Sequence, residues 1–276
     1  MILSSVVIVL GEVLEATILA SIFLALSQRF ETPRNWFISA LLAGITGAAL
    51  YAVFFDVISQ WADGFGQEIF NASIQLGIYL CLCLFNALVY STKQEQTMSR
   101  YLEWTMALAV SLAITREGAE IFLYLSGFIS SDSLITATIT GSIIGAGIGL
   151  SLGILLYYFF ISLNRRLSLY LGYSLLLLVA AGMILQAVRL LIQIDWLPSQ
   201  QIVWNVSNLI DESSATGRLL YTLVGYEASP TPIEIQCYIV AILVVLLSTG
   251  IAQYISSTKN KETFAQEPVF VRARQK

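Results

Sequence analysis

Two pairs of glutamates and one arginine stand inside otherwise apolar runs: Glu12 and Glu15 in ILSSVVIVLGEVLEATILASIFLAL, and Arg116, Glu117 and Glu120 in WTMALAVSLAITREGAEIFLYL. Each pair is spaced i, i+3, which on a helix puts both carboxylates on one face with Cβ atoms about 5–6 Å apart. A charge at the centre of a bilayer costs about 2.5–3.5 kcal/mol. Four carboxylates against the single nearby cation, Arg116, leave a formal charge near −3 (four minus one) if all are ionised. Such a cluster requires protons, water or a metal ion to neutralise it. Carboxylate oxygens are hard ligands and suit a hard cation. Ferric iron matches the charge count, and ferrous or manganous ions also match the donors. The plainer reading is that each Glu is protonated and acts as hydrogen-bonding glue, with Arg116 paired to Glu120 one turn on. Two matched pairs are hard to explain as packing.

The elements that must position these residues are membrane helices. Of 276 residues, 57% are hydrophobic and 12% charged, and the mean hydropathy is +0.77. A soluble chain would carry about 25% charged residues. Seven runs near the roughly 20 apolar residues that span a bilayer fall at 2–26, 36–59, 68–91, 103–129, 134–163, 169–194 and 233–256. The expected fold is an all-α polytopic membrane protein with seven transmembrane helices. Glu12 is ten residues into the first run, roughly 15 Å deep at 1.5 Å per residue. Glu117 is about as central in the fourth, so the two pairs can face each other at one level. The first run is not expected to be a cleavable signal peptide, because Glu12 and Glu15 interrupt it and no basic stretch precedes it.

Orientation follows from the basic residues. Arg29, Arg34, Lys93, Arg100, Arg165, Arg166, Lys259, Lys261, Arg272, Arg274 and Lys276, eleven of the 14, fall on one side, which the positive-inside rule makes cytoplasmic. The N-terminus is then outside and the C-terminus inside. Glu12 and Glu15 recur as Glu117 and Glu120 at an offset of 105, and Gly47, Tyr51 and Phe54 recur as Gly153, Tyr157 and Phe160 at 106. Helices 1–3 and 4–6 start on opposite sides, giving a 3+3 inverted repeat plus one extra helix, a transporter architecture with its site near mid-membrane. The organisation expected is a single permease domain, 1–258. It comprises repeats at about 1–92 and 101–194, an outer loop 195–232 with short helices at the surface, and the seventh helix 233–256. A basic cytoplasmic tail, 259–276, follows.

REGAE at Arg116–Glu120 resembles the Arg-Glu-x-x-Glu signature of the oxidase-coupled iron permease family, which includes the fungal high-affinity iron permease and bacterial ferrous-iron-uptake permeases. GEVLEA at Gly11–Ala16 matches the first-helix copy, with Gly11 in place of the arginine. The resemblance continues through AAGMILQAVRLL (Ala180–Leu191), DWLP (Asp195–Pro198), VWNVSNLI (Val203–Ile210) and GRLLYTLVGYEASP (Gly217–Pro230), covering nearly the whole chain. It implies iron uptake through the plasma (inner) membrane, with Glu12, Glu15, Glu117 and Glu120 handling Fe3+ or Fe2+ and Arg116 in a supporting electrostatic role. Iron is then transported substrate, and no bound redox cofactor is expected. The resemblance further implies a partner outside the membrane, an oxidase or iron-binding protein; this chain has no histidine and no clustered cysteines to hold copper or haem itself. Membrane lipid is the other partner; nucleic acid is not.

Other polar residues carry weaker signals. Arg189, about five residues from the outer end of its helix, is expected to snorkel to the surface or to pair with an inward carboxylate, and could replace the arginine missing at Gly11. Glu68 at the start of the third helix is a supporting residue. Asp63, Asp211 and Glu212 lie at the entrance and, with Asp56 and Glu227, could raise the local cation concentration; taken singly, each reads as a solvated loop acid. Gly141, Gly145, Gly149 and Gly153 form a small-residue stripe that lets another helix approach closely. Cys81, Cys83 and Cys237 read as small buried hydrophobes. Competing functions are transport of another hard or heavy divalent cation, an intramembrane glutamate-dependent hydrolase, and a membrane scaffold for an oxidase. The absence of histidine weighs against the hydrolase, and intact glutamate pairs in both halves weigh against the scaffold.

Overall fold

A computed structural model describes residues 2–30, 32–33, 35–91, 96–128, 132–212 and 214–266. Arg34, Lys93 and the end of the expected tail, with Arg272, Arg274 and Lys276, lie outside the described residues. Among those described, the regular structure is helical, with no strand: α1 (Ile2–Arg29), α2 (Asn35–Val53), α3 (Phe55–Gln60), α4 (Gly66–Ser91), α5 (Gln96–Ser126), α6 (Asp132–Ser162), α7 (Arg165–Gln193), α8 (Ala215–Val224) and α9 (Pro232–Gln266). Six of them, α1, α2, α4, α6, α7 and α9, are long and apolar enough to cross a membrane. α5 has the length, at 31 residues, but carries Arg100, Glu103, Arg116, Glu117 and Glu120. Leu42, Ile143, Leu155, Leu247 and Ile251 are exposed on the outer faces. So much outward apolar surface fits lipid, not water.

Two expected boundaries change. The second run does not continue to 59: α2 ends at Val53, and α3 starts after a break at Phe54. The chain then reverses through a 3-10 turn, Ala62–Gly64, in which Ala62, Asp63 and Gly64 all have positive φ (51°, 60° and 95°). Trp61 and Phe65 flank the turn and are exposed, as side chains suited to a membrane–water boundary are. At the other end, residues 259–266 continue α9 instead of leaving it as tail. STKNKETFAQ contains no Gly or Pro, and the first helix breaker is Pro268.

Glycines set the central packing. The stripe on α6 lies along α1 in parallel. A Cβ at Gly141 would come within 2.6 Å of the Ile2 carbonyl oxygen, one at Gly149 within 2.9 Å of Val13, and one at Gly153 within 2.7 Å of Thr17. The close approach is fastened by Thr17 Oγ1 donating to the Gly149 carbonyl (3.3 Å) and Ser21 Oγ to that of Gly153 (2.7 Å). α2 lies along α5 in the same manner: Gly44 meets Ile114, Gly47 meets Thr115, and Thr115 Oγ1 donates to the Gly44 carbonyl (3.3 Å). Gly145→Leu, which would drive its side chain into the Val6 carbonyl and the Leu10 amide, is expected to lower stability by about 1–3 kcal/mol. Gly147→Leu, whose Cβ meets nothing within 4 Å, should leave the thermal unfolding curve of the purified protein in place.

α1, α4, α5 and α7 surround the interior, and α9 packs outside them on α4 and α7. One half of the bundle is dry. Phe23 stacks edge-on against Phe85 at 4.8 Å and against Trp36 at 6.5 Å, among Leu26, Ile22, Ile78, Leu82, Met106 and Val110. Arg29 closes the end of that half by donating from Nη2 to the carbonyls of Ile161 (2.8 Å) and Leu163 (2.7 Å) at the α6 C-terminus, groups left without intrahelical partners.

α8 corrects the expectation of surface helices in the 195–232 connection. Ser214 Oγ caps its start by accepting from the Gly217 amide (3.0 Å), and Gly225 ends it in the left-handed region at φ 66°. A Cβ on Gly225 would lie 2.9 Å from the Gly182 Cα of α7. Gly182 is eleven residues inside the end of α7, roughly 16 Å at 1.5 Å per residue. α8 therefore descends into the protein, between α7 and α1.

Candidate metal centre

α1 and α5 pack antiparallel, with Ser5 Oγ and Tyr124 Oη hydrogen-bonded at 2.8 Å near the start of α1 and the end of α5. That register brings the two expected glutamate pairs together. Carboxylate oxygens of Glu12, Glu117 and Glu120 lie within 4.8 Å of one another, close to what one ion spans with oxygen ligands at about 2.0–2.6 Å. Glu117 is the most enclosed, its side chain 4% exposed, whereas that of Glu120 is 28% exposed. Glu117 Oε2 is buried without a hydrogen-bond partner.

Glu15 takes a different position. Its Oε2 faces Arg116 Nη1 at 3.3 Å and accepts from Gln186 Nε2 at 3.2 Å. Arg116 serves three of the four carboxylates, with Nη1 2.6 Å from Glu117 Oε1 and Nε 3.2 Å from Glu120 Oε1. The pairing with Glu120 expected from the i, i+4 spacing is therefore one of three. Because guanidinium is planar and presents several N–H groups in a fixed fork, it can hold carboxylates on two helices at once.

A cavity of about 370 Å³ leads to this cluster, lined by Gln67, Glu68, Asn71, Arg116, Glu120 and Gln193 among others. Gln67 and Gln193 lie at the α4 and α7 ends, and Arg116 lies ten residues inside the end of α5. The cavity thus runs inward from the same face as the α1 start. Asn71 Nδ2 donates to Glu120 Oε1 at 3.4 Å, and Tyr51 Oη donates to Asn71 Oδ1 at 3.0 Å. Glu68 sits at the cavity mouth with Oε2 buried and unpartnered. Asp63 is exposed on its turn, and Asp211 is exposed ahead of α8; neither lines this cavity.

Arg189 neither snorkels nor substitutes for the arginine absent at Gly11. It pairs with Glu227, with Glu234 (3.2 Å) and with Glu212 (3.6 Å), and its guanidinium lies 5.6 Å from the Tyr221 ring centroid. Glu212 also accepts from the Ala228 amide (2.7 Å), and Glu234 from the Thr231 amide (2.6 Å). Glu212 is therefore a fastener of the connection rather than an open entrance charge, and Glu227 is buried rather than solvated. Arg189→Ala would leave three carboxylates without their shared cation, a loss of roughly 3 kcal/mol for a largely buried cluster. Hydrogen exchange should then accelerate across 205–231 and remain slow in α1 and α5.

Sequence reasoning missed Asn71, Gln75, Gln186, Tyr221 and Glu234. A signal existed for the first two: Glu68, Asn71 and Gln75 fall at helical spacing and make one polar stripe on α4. Gln186 is a lone amide in an apolar run, and only the packing reveals its partners. Cys81 and Cys83 are buried as expected, while Cys237 is half-buried.

Apolar helices around a buried carboxylate cluster, reached by a cavity from one face, define a multi-pass membrane protein. The chain belongs to the iron permease FTR1 family, whose profile it matches over residues 2–260. It is 24% identical over 260 residues to the ferrous iron permease EfeU of Yersinia pestis, a match covering 87% of this chain and 90% of the relative. The EfeU of Yersinia pseudotuberculosis serotype I (strain IP32953) is equally similar, with 89% of its length covered. No solved structure matches the chain. A permease family accords with a transporter rather than an enzyme.

Proposed function

We propose that this protein imports iron across the plasma (inner) membrane and passes it through the carboxylates of Glu12, Glu117 and Glu120. The observation that carries the reading is the convergence of these three groups from α1 and α5 within 4.8 Å, beside a cavity with Glu68 at its mouth. Glu15, paired with Arg116, completes the set of four. Glu68, Asp63 and Asp211 add negative field on the approach, attracting cations before any ligand bond forms. The relatives are ferrous iron permeases by name, which favours Fe2+ as the ion taken up. A partner outside the membrane would supply the iron, as the family resemblance implies: an iron-binding protein would hand on Fe2+, whereas an oxidase, passing one electron to its own acceptor, would hand on Fe3+. Donors made only of oxygen also suit manganous ion, the second reading.

Seven crossings fit this function better than six. α5 runs beside α1 from Ser5–Tyr124 to Glu15–Arg116, in the middle of the bundle, so it crosses despite its charges. The equivalent pairings α1 with α6 and α2 with α5 support two inverted halves, each lending its first helix to the second helix of the other. Residues 1–258 then act as one permease domain with the N-terminus outside. In a cysteine-free background, a cysteine at exposed Gln200 should react with an impermeant reagent from outside, and one at exposed Asn164 should not. The reverse pattern would contradict the orientation.

The functional test is radiolabelled ion uptake into proteoliposomes, with ferrous, ferric and manganous ions compared. Uptake of iron in preference to manganese is expected, falling as pH is lowered because protons compete for the same carboxylate oxygens. Folded protein that moves none of the three ions would remove the transport reading in favour of a scaffold.

A further inference from the structure

Gln186 stands where the four central helices meet. It is buried on α7, and both its oxygen and its nitrogen bond to members or neighbours of the cluster. Nε2 donates to Glu15 Oε2 on α1 (3.2 Å), while Oε1 accepts from Arg116 Nη1 on α5 (3.2 Å) and from Gln75 Nε2 on α4 (2.6 Å). Two donors converging on Oε1 fix which end of the amide is oxygen, so Nε2 must face Glu15. Arg116 Nη1 reaches the same Glu15 oxygen at 3.3 Å, closing a triangle of Glu15, Arg116 and Gln186. Gln75, fully buried, braces it from behind.

The triangle separates Glu15 from the other three carboxylates. Glu12, Glu117 and Glu120 hold oxygens within one 4.8 Å group, and Glu15 is not part of it. Glu120 also faces Arg116 and Asn71, so what sets Glu15 apart is its place outside that group, where an ion could reach it only by displacing the bonds from Arg116 and Gln186.

We propose that Gln186 is a positioning residue that holds Glu15 on Arg116, so that the transported ion meets three carboxylates and not four. The proposal rests on the reading of Glu12, Glu117 and Glu120 as the ion site. Its consequence is kinetic. Conduction needs a site strong enough to fill and weak enough to empty, and a fourth anionic ligand would favour holding over release. A neutral amide can accept from Arg116 and donate to Glu15 at the same time. Gln186→Met keeps the side-chain length and removes both bonds. Gln186→Glu still accepts from Arg116 but repels Glu15.

The test measures binding of ferrous iron alone, by anaerobic equilibrium dialysis of the purified full chain, together with KM and maximal rate of uptake in proteoliposomes. Gln186→Met and Gln186→Glu should each bind about tenfold tighter, a typical size for coupling between neighbouring groups. KM and maximal rate should fall together. Adding Glu15→Gln to Gln186→Met should return both toward wild type, because the extra ligand is gone. A merely structural role would lower thermal stability and leave KM unchanged. Unchanged or weaker binding in the Gln186 variants, while Glu117→Gln still loses iron, overturns the proposal and leaves the ion site standing. Iron binding that survives in Glu12→Gln, Glu117→Gln and Glu120→Gln alike overturns the site and the proposal with it. Gln186→Met decides the matter, with Gln186→Leu in its place if the Met variant does not purify, because Gln186→Glu also adds a carboxylate of its own.

Discussion

Glu117→Gln is expected to reduce iron uptake by roughly a hundredfold, about 2.8 kcal/mol at 1.4 kcal/mol per tenfold, while the protein inserts and purifies normally. Glutamine keeps the size of the side chain and can still accept from Arg116 through its oxygen. What it loses is the anionic oxygen that is buried without a partner, Oε2. In its place an NH₂ group would face Glu12 and Glu120 and occupy their acceptor sites. Arg116 retains Glu15 and Glu120, so the fold loses little. If Glu117 were only packing glue, the ordering would reverse, with poor thermal stability and normal uptake per folded molecule. Glu68→Gln, at the cavity mouth, should reduce uptake only modestly, and more at low ionic strength than at high.

Arg116→Ala is expected to act first on stability. It strips from Glu15 and Glu117, both largely buried, the only cation that pairs with them among the described residues, and breaking such pairs costs roughly 3–5 kcal/mol. Arg116→Lys should fall between alanine and wild type. An ammonium keeps the charge, but one nitrogen cannot replace a fork whose Nη1 serves Glu15, Glu117 and Gln186 while Nε faces Glu120. Combining Arg116→Ala with Glu15→Gln should recover part of the loss, because one of the orphaned charges is then gone. Thermal unfolding of the purified variants measures all three, and equal stability of alanine and lysine variants would contradict the pairing.

Much of this was legible in the residues themselves. Apolar run lengths locate the long helices, since bilayer thickness sets their scale, but α5 begins at Gln96 rather than 103, α2 ends at Val53 rather than 59 and α9 extends to Gln266 rather than 256. The i, i+3 spacing and central depth of the glutamates predict that α1 and α5 meet there, and the α6 glycines announce a close neighbour. What stayed hidden is partner choice. Nothing in one-dimensional spacing distinguishes Glu15 from Glu12, and it is Gln186, 171 residues from Glu15 along the chain, that separates them. Arg189 looked like a snorkelling residue because its three glutamates lie at 212, 227 and 234, in a connection whose inward path depends on Gly225 meeting Gly182. The break at Phe54 also escaped notice, because VFFDV is apolar enough to continue a helix and the turn is formed by residues with positive φ further on.

X-ray absorption at the iron edge, on purified protein loaded with ferrous iron, probes the central claim most directly. The account predicts a first shell of oxygen atoms only, with no sulfur, that is lost when Glu12, Glu117 and Glu120 are all replaced by Gln. A sulfur contribution from Cys81, Cys83 or Cys237, or an iron shell unchanged in the triple variant, would contradict it.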